Sequence, residues 1–133
     1  MQGVTLLELP AIVAIIAILI TMLAPSYQSQ TQQTRRADAA VQLTIAAVRM
    51  QSYYLGNGYS YDGADTALFP ASAADSSSGV EYYTIAVEIT NGGDGFLLKA
   101  TPTAEQATDP CGVLTLNHAG ERKAGKTVDE CWR

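Results

Sequence analysis

The 133 residues amount to one domain's worth of chain, and a net charge of −5 with a pI of about 4.6 excludes a surface that binds nucleic acid over its whole extent. Hydrophobic residues make up 47% but are unevenly spread: no charge falls between Leu9 and Thr34, and every acid except Glu8 lies from Asp38 onward. The composition describes an apolar stalk joined to an acidic, soluble body.

The stalk opens the chain as MQGVTLLELPAIVAIIAILITMLAPSYQ. No Lys or Arg precedes the run and TMLAPSYQ carries no clear A-x-A site, which argues against a secretory signal peptide. Leu9–Ala24 with the flanking Val4–Leu7 approaches the ~20 residues that cross a bilayer. An ionisable group at membrane depth costs roughly 2.5–3.5 kcal/mol and marks a function with a partner. Glu8 has no basic residue within a turn or two, so its partner is expected outside this chain.

From Ser26 to Leu55 there is neither Gly nor Pro, and the segment is rich in helix formers. A helix over Val4–Leu55 would span roughly 78 Å at 1.5 Å per residue, with Pro25 marking a kink between its halves. Ala37, Val41, Ile45, Val48 and Leu55 recur at helical spacing and predict the stripe that packs on the body's own sheet. Residues 56–79 read as a turn-rich surface connection, with Tyr59, Tyr61 and Phe69 expected to pin it down. Strands follow at Val80–Thr90, FLLKAT and CGVLTLN, with a short fourth around ERK; NGGDG forms the first hairpin turn. The predicted architecture is α+β: a long N-terminal helix whose C-terminal half packs on a sheet of three or four antiparallel strands.

Cys111 and Cys131 enclose 19 residues. In a chain with a membrane-like N-terminus they point to an exported domain with one disulfide, of roughly 3 kcal/mol, that fastens the tail and Trp132 to the sheet. The only histidine, His118, sits in a predicted turn without clustered ligands, so no metal or other cofactor is expected. No nucleophile has a plausible base and no phosphate-binding glycine loop appears, which leaves an enzyme reading without support.

GVTLLEL followed by AIVAIIAILITMLAPSYQ resembles the class III signal and N-terminal helix of type IV pilins, type IVa-like in form. The resemblance implies a leader of residues 1–3, cleavage by a prepilin peptidase between Gly3 and Val4, and N-methylation of Val4. It implies a hydrophobic helix at 4–28, which is membrane-bound and then filament core, and a globular domain at 29–133. Thr5, Glu8 and Pro25 fall on the family's assembly positions. Val4 stands where the family usually has Phe, and Pro10 where it has an aliphatic residue. The closing DPCGVLTLNHAGERK…CW resembles one pilin branch in which two cysteines bound a disulfide loop.

The resemblance also implies a partner for Glu8 in a neighbouring subunit. Cleavage would leave a positive amine at Val4, and in a filament the Glu8 of one subunit meets the amine of its neighbour. The partners so implied are other pilin subunits, the inner membrane before assembly, and the pilus assembly machinery; the destination is an extracellular filament for adhesion, motility or DNA uptake. The compact size inclines the reading toward a minor pilin. A type II secretion pseudopilin and a membrane-anchored module that never polymerises stay open. Arg122, Lys123, Lys126 and Arg133 are half of the eight basic residues, and their region resembles that of pilins that capture DNA. They form a candidate DNA site, set against the plainer reading in which Glu121, Asp129 and Glu130 neutralise them.

Overall fold

The computed structural model describes residues 6–69, 72–74 and 81–133, with no side-chain description for residues 23–26, 72–74 and 104. The expected leader, Gly3, Val4, Thr5, and parts of the 56–79 connection lie outside the described residues. One helix, α1 (Glu8–Gly56), precedes five strands: β1 (Ser72–Ala74), β2 (Glu81–Thr90), β3 (Gly95–Pro102), β4 (Leu114–Asn117) and β5 (Arg122–Lys123). A short α2 (Val128–Cys131) closes the chain. The strands pair in sequence order and antiparallel throughout. The chain divides into two compact units, Met1–Gln32 and Gln33–Arg133.

The α+β architecture is as the sequence predicts, with one strand more. The three residues of β1 pair with β2 through Ser72↔Thr84 and Ala73↔Tyr83, inside the segment read as a pure connection. SAA has no β-branched or aromatic residue to announce a strand. A neighbour's exposed edge recruits it. The helix runs without interruption through Pro25.

The second unit is built on an inward face that alternates along each strand. Tyr83 and Ile85 of β2, Phe96, Leu98 and Ala100 of β3, and Leu114 and Leu116 of β4 are all buried. Cross-strand neighbours Ile85↔Ala100, Leu98↔Leu116 and Ala100↔Leu114 place them in one layer. Onto that layer α1 brings Ala39, Leu43, Ala46 and Met50, each fully buried.

The predicted stripe is therefore the wrong face. Val41, Val48 and Leu55 are 55%, 60% and 65% exposed, and Ile45 is also outside the core. At 100° per residue the two sets lie on opposite sides of the helix. Both have helical periodicity, so periodicity cannot choose between them. Close packing does: Ala39 and Ala46 let the helix backbone approach the sheet, while Leu43 and Met50 fill the space beside them.

The 56–69 segment is tied to the helix end. Tyr53 donates its hydroxyl to Asp62 O at 2.7 Å, and Arg49 Nη1 donates to Leu68 O at 3.0 Å. Tyr61 and Phe69 enter the core as expected. Tyr59 does not: it is 67% exposed and adopts φ 61°, a backbone region costly for a bulky residue. Tyr61 N–H donates to Gly93 O at 2.8 Å, so the loop lies against the β2–β3 turn. A Cβ at Gly93, where φ is 99°, would stand 2.6 Å from Ser60 Oγ. Only glycine fits there.

Arg36 is the polar anchor. Its Nε and Nη2 donate to the two oxygens of Asp109 at 2.8 and 3.1 Å, and its Nη1 donates to Glu130 O at 3.2 Å. The Asp109 side chain is fully buried. It also accepts from Gln106 Nε2 at 3.0 Å, Tyr83 Oη at 3.4 Å and Cys111 N–H at 3.3 Å. Cys111 and Cys131 are bonded, with Cα atoms 5.8 Å apart. One guanidinium thus holds groups beside both ends of the disulfide.

Two measurements check this core. Leu43→Ala is expected to destabilise fragment 29–133 by about 2–5 kcal/mol, and Val48→Ala by less than about 0.5 kcal/mol, in denaturant unfolding. The reverse order would restore the predicted stripe. Burial, ahead of the nearby Asp109 charge, pushes the Tyr83 phenol from 10.0 to about 12. A raised folded value means that its contribution to stability is whole below pH 10 and lost as pH rises through about 12. Tyr83→Phe is expected to flatten stability against pH in that window.

Candidate assembly helix and basic tail

Glu8 is the first residue of α1 and exposed. A carboxylate in a first helical turn stabilises the macrodipole by about 0.3–1 kcal/mol, a local role that needs no second subunit. Around it, Leu6, Leu7, Leu9, Ile12, Val13, Ile15, Ile16, Ile18, Leu19 and Ile20 are all roughly half exposed or more. This first stretch of α1 is long and apolar enough to cross a membrane, and none of it is covered. An apolar surface of that size marks an interaction with lipid or protein.

The four basic residues of the tail are not one cluster. Arg122 lies opposite Leu116, which is buried, so its Cβ is on the inward face of the sheet. Lys123 lies opposite Thr115 and takes the other face. There its Nζ is 3.5 Å from Glu121 Oε1. Lys99, also aligned with Thr115, joins that outer face and pairs with Glu88 at 2.9 Å. Adjacent positions in a strand point apart, and counting charges along the sequence hides this.

Arg122 and Arg133 are brought together, around a residue the charge count omits. The Arg122 guanidinium stands over the Trp132 ring at 5.1 Å from its centroid. Trp132 Nε1 donates to Lys123 O at 3.2 Å, which secures the tail to β5 as expected. Arg133 Nε donates to Asp129 O at 2.8 Å. These three residues line two hollows. One, of about 340 Å³, is walled by Ala37, Ala40, Val41, Thr44 and Ile45 of α1. The other, of about 360 Å³, is bounded by Val128 and Asp129. Lys126 is exposed in the loop between β5 and α2. The predictor of this site was Trp132: a large apolar side chain between charges, directly after a half-cystine.

Elsewhere, Arg35 stacks on Tyr82 at 3.6 Å and reaches Glu105 at 3.7 Å. Both contacts serve the docking of α1. Among the described residues no group of His, Cys, Asp and Glu is arranged to hold a metal ion. His118 is exposed in the turn after β4, its ring edge-on to Phe96.

Residues 25–115 match the family described as "Type IV minor pilin ComP, DNA uptake sequence receptor". Among solved structures, a type IV pilin from Shewanella oneidensis is similar at 34% identity and a TM-score of 0.55, over 77% of this chain and 98% of that one. The non-core minor pilin PilV of Neisseria meningitidis is similar at 23% identity and a TM-score of 0.59, over 77% of this chain and 95% of that one; at that identity the likeness concerns the fold alone. A search of curated proteins found no match. The match spans more than half of the chain, and the chain belongs to the type IV pilin family, in the minor-pilin group described for ComP.

Proposed function

We propose that this chain is cut between Gly3 and Val4, methylated at Val4 by its prepilin peptidase, held in the inner membrane by its N-terminal helix, and then drawn into an extracellular pilus by the assembly machinery. The observation that carries the reading is the uncovered apolar stretch of α1, with Glu8 as its one charge. In the filament Glu8 pairs with the Val4 amine of the neighbouring subunit. Two charges inside an apolar bundle tolerate only a register that pairs them, since a buried charge left alone costs about 3–5 kcal/mol. Thr5 stands beside that amine, and Pro25 lacks the donor that would complete the helix ladder at its position. The work of such a subunit is structural.

A second reading adds DNA as a partner, through Arg122, Lys123, Lys126 and Arg133. It is supported by the matching family, described as a DNA uptake sequence receptor, and by the exposure of all four side chains. Phosphate contacts of this kind are electrostatic and operate on a protein of net negative charge if the cations are local.

Glu8→Ala is expected to leave the protein in the membrane and to reduce its incorporation into filaments roughly tenfold or more. Quantitative immunoblotting of sheared filaments against membranes reads it, and normal incorporation would refute the pairing. For DNA, fragment 29–133 is expected to bind a duplex with an affinity that falls steeply between about 50 and about 200 mM salt, as phosphate contacts require. Replacing the four basic residues with Gln should abolish that binding. Unchanged binding in the Gln variant would remove the tail from the interface.

A further inference from the structure

Arg122, Trp132 and Arg133 are common to two hollows of different character. The one of about 340 Å³ has the apolar side chains of Ala37, Val41 and Ile45 on α1 as its wall. The one of about 360 Å³ is bordered by Asp129. Both fall within the roughly 300–1,000 Å³ of small-molecule sites, which combine apolar walls with a few placed polar groups.

Two guanidiniums border both spaces. Arg122 is held over the Trp132 ring, 5.1 Å from its centroid, and Arg133 is fixed through the Nε that donates to Asp129 O at 2.8 Å. Among the described residues neither forms an ion pair, although acids outnumber basic residues 13 to 8 in this chain. Two cations beside an apolar wall call for an anion with an apolar body. The shape of the wall narrows that further. Ala37 to Ile45 runs roughly 12 Å along α1 at 1.5 Å per residue. Its small alanines leave a narrow trough, which takes a linear chain rather than a broad ring system. The head group follows from Asp129, which repels a doubly charged phosphate more than a carboxylate. A planar carboxylate also matches the donor fork of a guanidinium.

We propose that this site binds a fatty carboxylate. The alkyl chain lies along Ala37–Ile45 beside the Trp132 ring, and the carboxylate is held by Arg122 and Arg133 where the two hollows adjoin. Lys123, on the other face of the sheet and near Glu121, takes no part, and neither does Lys126. A head group seated on the two arginines withholds them from DNA phosphates and leaves the two lysines exposed. The site lies wholly in the unit Gln33–Arg133, so it does not depend on the assembly reading.

Trp132 is the only tryptophan of the chain, so its fluorescence reports this site alone. The buried core lies between Ala39 and Cys131, and fragment 29–133 therefore carries all of it. Titration of that fragment with ω-bromodecanoate, a contact quencher used below its micelle concentration, is expected to quench Trp132 to saturation. Decanoate should displace the quencher, and octanoate should do so roughly tenfold more weakly, as the loss of two buried methylenes requires. Decylammonium should not displace it. Quenching that never saturates, or displacement by decylammonium equal to that by decanoate, would reduce the site to adsorption of a chain and overturn the proposal. Those arms need no variant. Arg122→Gln with Arg133→Gln, and separately Ile45→Glu, are each expected to weaken binding at least about tenfold without moving the denaturant midpoint of unfolding. Lys123→Gln with Lys126→Gln should leave binding unchanged. Full affinity in the arginine variant, or an equal loss in the lysine variant, rejects the proposal. None of these outcomes depends on whether the chain enters a filament.

Discussion

Everything in the globular unit is arranged around a carboxylate that water cannot reach. Asp109 is fully buried, and both its oxygens are bound by Arg36 of the helix. Such a pair gives little net stability against a well-packed apolar replacement, but breaking it costs about 3–5 kcal/mol because one charge is left in the interior. What it enforces is position. Tyr83 from β2 and Gln106 from the β3–β4 connection complete the same carboxylate, so helix, sheet and connection share one register. Through Glu130 O and Cys111 N–H, the pair also sets the two ends of the disulfide loop. The tail that carries Arg122, Trp132 and Arg133 is placed from this point.

With that face of the helix committed, the opposite one is left for the outside. Val41, Ile45 and Val48 project away from the core on a helix whose earlier turns are apolar and uncovered. A monomer gains nothing from such a surface in water, and a subunit that passes from a membrane into a polymer needs it in both places. The separation of charge follows the same division of labour. Acids alone occupy residues 50–98, and half the basic residues fall in the last twelve. An overall charge of −5 describes neither end.

Much of this was legible in the residues. GVTLLEL and the uncharged run announced the helix, the β-branched and aromatic runs announced β2, β3 and β4, and the turn at HAG announced the short β5. The closing cysteines announced their bond. Three features escaped for identifiable reasons. The sheet-facing stripe was misread because α1 has two apolar faces of equal period, and the choice between them rests on the small volumes of Ala39 and Ala46 against the sheet. β1 has a sequence neutral toward strand and is made by its neighbour. The basic tail looked like one cluster because Arg122 and Lys123 adjoin in sequence, whereas a strand sends them to opposite faces. Arg36 and Asp109 lie 73 residues apart; no local pattern connects them.

The central claim is that this chain is processed as a pilin and used as one. The measurement nearest to it is the intact mass of the chain recovered from purified surface filaments, with its disulfide preserved. The account predicts a species that begins at Val4, carries one added methyl group and contains the Cys111–Cys131 bond. Absence of the chain from the filaments, or a mature form that begins at Met1 or beyond Ala24, would contradict it.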